Sequence, residues 1–259
     1  MMLSKVLFEL VVISVSPISY RTSASAIPID GVGLEARQLP PVNTWVYQGC
    51  YSDPNADYRT LMFSGGRNDT MTLSKCSEVC GANGKKYAFF GTEDGKECWC
   101  DYSLRPRGGG VKVDAVKCNS TCAGDATGNT KCGGPNALSV YRNPLIVEPA
   151  SKPIVVDPAT GTTWKYDNCY LGFRGAVRTL DLRVDPAAGV TIETCTSTCA
   201  SLKYTYAGLE YGHECWCGNT LHMSVTSAQD PSVACKQACD DNTNEICGDI
   251  GMLSLYMKA

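Results

Sequence analysis

Sixteen cysteines in 259 residues are the groups most able to do chemistry in this chain, and three chemistries compete for them: thiolate catalysis, zinc ligation and disulfide formation. Their spacing argues for the third. The first eight are Cys50, Cys76, Cys80, Cys98, Cys100, Cys118, Cys122 and Cys132, with successive differences of 26, 4, 18, 2, 18, 4 and 10. The second eight are Cys169, Cys195, Cys199, Cys215, Cys217, Cys235, Cys239 and Cys247, with differences of 26, 4, 16, 2, 18, 4 and 8. Five of the seven spacings are identical, which is an internal repeat. Gaps of three and one residues between thiols suit zinc poorly, and the only histidines are His213 and His222, both in the second half. No histidine-based site can therefore be common to both copies. An even, dense set of cysteines belongs in an oxidising compartment, where full pairing leaves no thiol nucleophile. No catalytic residue, metal or cofactor is expected.

The elements that must position these sulfurs follow from the two shortest gaps. Cys76 and Cys80, like Cys195 and Cys199, stand four apart, which on a helix puts both sulfurs on one face. Thr72 and Thr191 are placed to cap those helices, and Gly81 to end the first. Cys98-Trp99-Cys100 and Cys215-Trp216-Cys217 have a gap of two, which on a strand again puts both sulfurs on one face. The aromatic runs Tyr87–Gly91 and Tyr204–Gly208 read as the preceding strands. A helix with two thiols can then dock on a strand with two thiols, with Cys76 to Cys98 and Cys80 to Cys100 as one pairing. Spacing leaves the remaining connectivity open.

The copies repeat between their cysteines as well. Trp45-x-Tyr47 matches Trp164-x-Tyr166, Arg59-Thr60-Leu61 matches Arg178-Thr179-Leu180, and Glu97-Cys98-Trp99-Cys100 matches Glu214-Cys215-Trp216-Cys217. The organisation read from this is a signal peptide over 1–26, a spacer over 27–43, a first module over 44–142, a linker over 143–162 and a second module over 163–257. The linker carries Pro144, Pro149, Pro153 and Pro158, which favour an extended, semi-rigid spacer. The N-terminal apolar stretch Val6–Val15, behind Lys5 and ahead of Ala24-Ser25-Ala26, fits export. No later stretch is apolar enough for a membrane helix or a lipid-anchor tail, so a secreted protein is expected, extracellular or associated with a cell wall. With 23 Lys+Arg against 26 Asp+Glu, a net charge of -3 provides no basic patch for nucleic acid or an anionic membrane.

At Tyr206-Ala207-Gly208-Leu209-Glu210-Tyr211-Gly212-His213-Glu214-Cys215-Trp216-Cys217-Gly218-Asn219 the chain resembles the central signature of WSC domains. Gly49-Cys50-Tyr51, Arg59-Thr60-Leu61 and the stretch from Cys132-Gly133-Gly134 to Tyr141 fit the same family, over about 44–142 and 163–257. The resemblance implies an α+β fold similar to PAN/apple modules: two small disulfide-rich units, each a helix packed on an antiparallel sheet. It implies the bridges Cys50–Cys118, Cys76–Cys98, Cys80–Cys100 and Cys122–Cys132. In the second copy these become Cys169–Cys235, Cys195–Cys215, Cys199–Cys217 and Cys239–Cys247. It also implies non-catalytic binding of fungal cell-wall polysaccharide, with β-1,3-glucan foremost. The first copy departs from the signature at Thr92–Lys96 and at Asp101-Tyr102, and the second at Asp249, where two glycines are usual. Ala137 and Met252 stand where the family often has arginine. The second copy, closer to the signature, is expected to bind better.

A sugar site needs aromatic faces for pyranose rings and planar polar groups for hydroxyls. The candidates are Tyr51, Tyr58, Arg59, Glu97 and Trp99 in the first module, and Tyr170, Arg178, Tyr211, Glu214, Trp216 and Asn219 in the second. The competing reading is that aromatics beside cysteines pack the disulfide core, and that Trp99 and Trp216 only cover the far side of the sheet. Glu93, Asp94 and Glu97 are spaced like a glycosidase carboxylate set, but a charged loop beside a strand is ordinarily solvated. Asn68-Asp69-Thr70 and Asn119-Ser120-Thr121 are N-glycosylation sequons at Asn68 and Asn119. The expected function is bivalent, lectin-like recognition of polysaccharide; the alternative is an extracellular protein-interaction or adhesion module.

Overall fold

The computed structural model describes residues 44–81, 86–222 and 228–259, so the expected signal peptide and spacer lie outside the described residues. The first module runs β1 (Val46–Ser52), β2 (Phe63–Arg67), α1 (Leu73–Gly81), β3 (Phe89–Glu93), β4 (Glu97–Asp101), β5 (Lys112–Val113) and β6 (Ala137–Arg142). Its strands form one antiparallel sheet in the order β2-β4-β3-β6-β1-β5. After β7 (Ile154–Val156), the second module runs β8 (Thr163–Leu171), β9 (Phe173–Arg174), β10 (Val177–Arg178), β11 (Leu182–Val184), α2 (Ile192–Ser201), β12 (Tyr206–Glu210), β13 (Glu214–Gly218), β14 (Ala228–Gln229) and β15 (Met252–Lys258). Its sheet repeats the order as β11-β13-β12-β15-β8-β14, and β9 pairs with β10 as a separate two-stranded hairpin. Even an irregularity is duplicated, since both opening strands slip register two residues before their first cysteine.

Local chemistry explains the helices. Thr72 Oγ1 accepts from the Lys75 amide at 3.2 Å, and Thr191 Oγ1 from the Thr194 amide at 3.1 Å while Thr194 reciprocates, so each helix starts on a threonine cap. Each helix buries its two cysteines. Opposite them, β4 and β13 turn both cysteines inward and the tryptophan outward. The double staple forms as Cys76–Cys98 with Cys80–Cys100, and as Cys195–Cys215 with Cys199–Cys217. Cys50–Cys118, Cys122–Cys132, Cys169–Cys235 and Cys239–Cys247 complete the set, and no cysteine is free. Between helix and sheet, Phe90 stacks on Tyr141 at 4.6 Å and Trp45 meets Phe90 edge-on at 5.0 Å; Trp164, Ile192, Leu209 and Tyr256 fill the same layer of the second module.

Two readings shift. The strands expected over Tyr87–Gly91 and Tyr204–Gly208 begin two residues later, at Phe89 and Tyr206. The linker is also less of a free spacer than its prolines suggest. Ile154–Val156 pairs antiparallel with β8, and Val155 is buried beside Trp164. Pro153 and Pro158 flank this strand rather than interrupt it, so its amides remain available to an open sheet edge. Lys152 adds ion pairs to Glu193 and Glu245.

Candidate functional site

On the face of each sheet away from the helix, the outward tryptophan is the floor of a charged cluster. The Arg59 guanidinium lies 3.5 Å from the Trp99 ring centroid, and the Arg178 guanidinium 3.5 Å from that of Trp216. The indole N–H of Trp99 donates to Glu97 at 3.2 Å, and that of Trp216 to Glu214 at 3.0 Å. The other oxygen of each glutamate takes a second arginine: Arg67 to Glu97 at 2.6 Å, Arg183 to Glu214 at 2.8 Å. A further pair closes each cluster, Arg59 with Glu93 and Arg178 with Glu210. The same Arg–Trp–Glu–Glu constellation is thus built twice.

The alternation of β4 and β13 makes this inevitable once the cysteines face the helix. Trp99 and Trp216 must point away, and Glu97 and Glu214, two residues earlier, share that face. Glu93 and Glu210 arrive from the paired strands, whose registers set them opposite Glu97 and Glu214. Glu93 is not solvated as its loop-like context suggested: it is 5% exposed, and Glu210 is fully buried. Burial pushes both carboxyls up to about 7, outweighing the arginine that faces each.

The structure brings Arg59, Glu97 and Trp99 together, and likewise Arg178, Glu214 and Trp216. Neither tryptophan offers two open faces, because the guanidinium covers one. On the side of the sheet they share, Trp99 packs with Tyr51 against the Leu61–Leu138 cluster, and Trp216 with Tyr170 against Leu180 and Leu253. Tyr51 is half-buried, and burial raises its phenol. Tyr170 is buried, with its hydroxyl donating to Asp167 at 2.5 Å and its pKa pushed up to about 12 by burial and then by that carboxylate. Both tyrosines support the cluster from below. Tyr58 and Tyr211, next in sequence to Arg59 and Glu210, are each half-buried. Asn219 stands apart, beyond the far end of β13 from Glu214, where its Oδ1 accepts from the Thr205 amide at 2.9 Å. The sequons fall on exposed residues, Asn68 and Asn119.

Sequence reasoning missed Glu210, Arg67 and Arg183 as members of the cluster, and gave Glu93 the wrong environment. A signal existed for the glutamates, because Glu93 and Glu210 each precede the Glu-Cys-Trp-Cys glutamate by four residues. For the arginines there was none: Arg67 follows Arg59 by eight residues and Arg183 follows Arg178 by five.

Over the first cluster lies an open cavity of about 300 Å³ lined by Arg59, Glu93, Asp94, Glu97, Pro135 and Asn136. A concave surface of guanidinium, carboxylates and an amide is suited to a ligand dense in hydroxyls, which can accept from the arginine and donate to the glutamates. Every cysteine is bridged, including the Cys76, Cys80, Cys98 and Cys195, Cys199, Cys215 groups, so no thiolate can ligate a metal in this state.

Fold and cluster together define a tandem of disulfide-stapled recognition modules of extracellular type. The WSC domain family matches residues 47–134 and 166–249, and the chain belongs to that family. It is 33% identical over 236 residues to a WSC domain-containing protein of Arthroderma benhamiae, covering 83% of this chain and 25% of that protein. It is 32% identical over 223 residues to a putative fungistatic metabolite of Chaetomium globosum, covering 84% of this chain and 94% of that one. The chain thus spans about a quarter of the Arthroderma protein but nearly all of the Chaetomium protein. Similarity to the xylosyltransferase oxt of Drosophila melanogaster, 33% identity, is confined to 36% of this chain and 10% of that enzyme, about the length of one module. No helix among the described residues is long and apolar enough to cross a membrane.

Proposed function

We propose that this protein is a secreted, non-catalytic lectin that binds cell-wall polysaccharide, β-1,3-glucan foremost, through the Arg–Trp–Glu–Glu cluster of each module. The observation that carries this reading is the duplication of the cluster: two modules of divergent sequence keep the same guanidinium, indole and paired carboxylates in the same relation. Two sites on one chain suit a repeating polymer, where a second contact becomes intramolecular and raises avidity. The sequons at Asn68 and Asn119 are proposed glycosylation sites, since both asparagines are exposed.

The test is co-sedimentation of the disulfide-intact protein with insoluble β-1,3-glucan, chitin and cellulose. Retention on glucan, released by soluble β-1,3-glucan, is expected. Full recovery in the supernatant with all three polymers would overturn the reading. Capture of a defined extracellular protein that survives excess soluble glucan would instead favour the protein-interaction alternative.

A further inference from the structure

The two modules meet around the turn that carries Arg105. Arg105, on the first, is buried and holds Asp101 of its own module at 2.8 Å and Asp249 of the second at 2.8 Å; both carboxylates are buried as well. When the copies are aligned on their cysteines, Asp101 corresponds to Gly218 and Asp249 to Gly134. Both are positions where the chain departs from the family signature, and both departures end on one guanidinium. Two carboxylates and an arginine withdrawn from water persist only when each is paired, so this triad ties the modules in a defined relation.

Two further ties leave the same turn. Arg105 Nη1 lies 3.5 Å from Gln237 Oε1, and Gln237 Nε2 donates to the Tyr211 carbonyl at 2.8 Å. Arg107 donates to the Ile250 carbonyl and lays its guanidinium 4.5 Å from the centroid of the Tyr58 ring. Ala238 of the second module is buried in the hydrophobic cluster of the first. One turn thus braces Tyr58 on its own module and Tyr211 on the other. Tyr58 also lies close enough to act on the Tyr211 phenol, which is pushed up by burial, then by Glu210 and Glu214, and then by Tyr58.

Tyr211 sits at φ +56°, in left-handed backbone that a bulky side chain rarely adopts. The first module puts Asp94 there at φ +50°, a residue that tolerates the conformation. The hairpin does not require an aromatic, and strain of this kind marks residues kept for what they contact.

We infer that the junction is a composite sugar subsite, in which Tyr58 and Tyr211 offer ring faces to one polysaccharide chain and the Asp101–Arg105–Asp249 triad holds the two rings in fixed relation. This rests on the polysaccharide reading above and deepens it: the docked pair adds to the two clusters a subsite that neither module has alone.

The test has two arms. A protease site is placed among residues 145–148, where Leu145 and Val147 are exposed. After cleavage under non-reducing conditions the halves should co-elute, and Asp249→Gly should separate them. In uncut chains, Tyr58→Ala and Tyr211→Ala should each weaken retention on β-1,3-glucan about fivefold to tenfold, and the double variant little more than either alone. Arg105→Met should match the double variant, and Asp249→Gly provides the same comparison should Arg105→Met fail to fold. Halves that separate without substitution, or tyrosine losses that multiply, would overturn the composite subsite and leave the function standing. Failure of the unsubstituted protein to bind any glucan overturns both.

Discussion

The two modules place the same arginine on the same tryptophan but hold it differently. In the first, Arg59 is gripped by Glu93 and also by Asp53 at 2.5 Å. In the second, the residue aligned with Asp53 is Gly172, and Arg178 pairs with Glu210, with Glu214 further off at 3.8 Å. A Cβ on Gly172 would stand 2.4 Å from Glu210 Oε1, so the missing side chain is the space the glutamate uses. The consequence is exposure. The Arg59 side chain is 15% exposed and that of Arg178 30%, with the exposed ring of Phe173 5.4 Å from the latter. Each arginine thus meets two carboxylates, but Arg59 is held closely by both and Arg178 by one, which leaves the Arg178 guanidinium the more exposed of the two. The proposal that the second module binds better draws support from this exposure, independent of its closeness to the family signature.

The comparison can be broken first at the core, where the modules should behave alike. Replacing Cys76 and Cys98 by alanine, or Cys195 and Cys215, should destabilise the affected module by about 2–4 kcal/mol, read by urea denaturation. A large inequality between the two would show that the shared staple does not carry equal weight. Next comes the position that distinguishes them. Gly172→Asp should cost about 1–3 kcal/mol by crowding the Glu210 carboxyl, and should reduce glucan retention by pinning Arg178. Asp53→Gly should make Arg59 more available, at about 1–3 kcal/mol for the lost acceptor of the Thr60 amide at 2.7 Å.

A pH effect should be common to both clusters. Glu93 and Glu210 rise from the usual carboxylate value of 4.5 to about 7, so the folded protein binds more protons than the unfolded chain between those values. Stability should therefore fall as pH rises from about 4.5 to about 7, and Glu210→Gln should flatten the slope in the second module. Thermal unfolding across that range decides it; stability rising with pH through the window, with the same slope in the variant, would count against the assignment. At the level of binding, Arg178→Met should weaken glucan retention by about tenfold, and Arg59→Met by less. The smallest effect belongs to Asn219→Ala. It should leave retention within about twofold, because Asn219 caps Thr205 away from the cluster.

Much of this was legible in the residues, for a geometric reason. Gaps of four and two between cysteines select a helix face and a strand face, so the double staple and the outward tryptophans follow from periodicity. Arg59 and Arg178, Glu97 and Glu214, Trp99 and Trp216 were identifiable because the repeat presents each twice. Arg67 and Arg183 were not, because short edge strands deliver them at unequal sequence offsets and only pairing to β4 and β13 brings them to their glutamates. Asn219 lies apart from the cluster, because adjacency to the signature in sequence is not adjacency in space when a strand of five residues intervenes.

Sequence alone determined the duplication, the family resemblance and the helix–strand staple, because these depend on spacing along the chain, which local geometry converts directly into faces. Tertiary structure alone decided that Glu93 and Glu210 are buried, that an arginine covers each tryptophan, that Ile154–Val156 joins the second sheet, and that the departures at Asp101 and Asp249 meet on Arg105. These depend on which distant groups share a low-dielectric environment. That is settled by packing, where a missing side chain at Gly172 or an added carboxylate at Asp249 acts on residues far away in the chain.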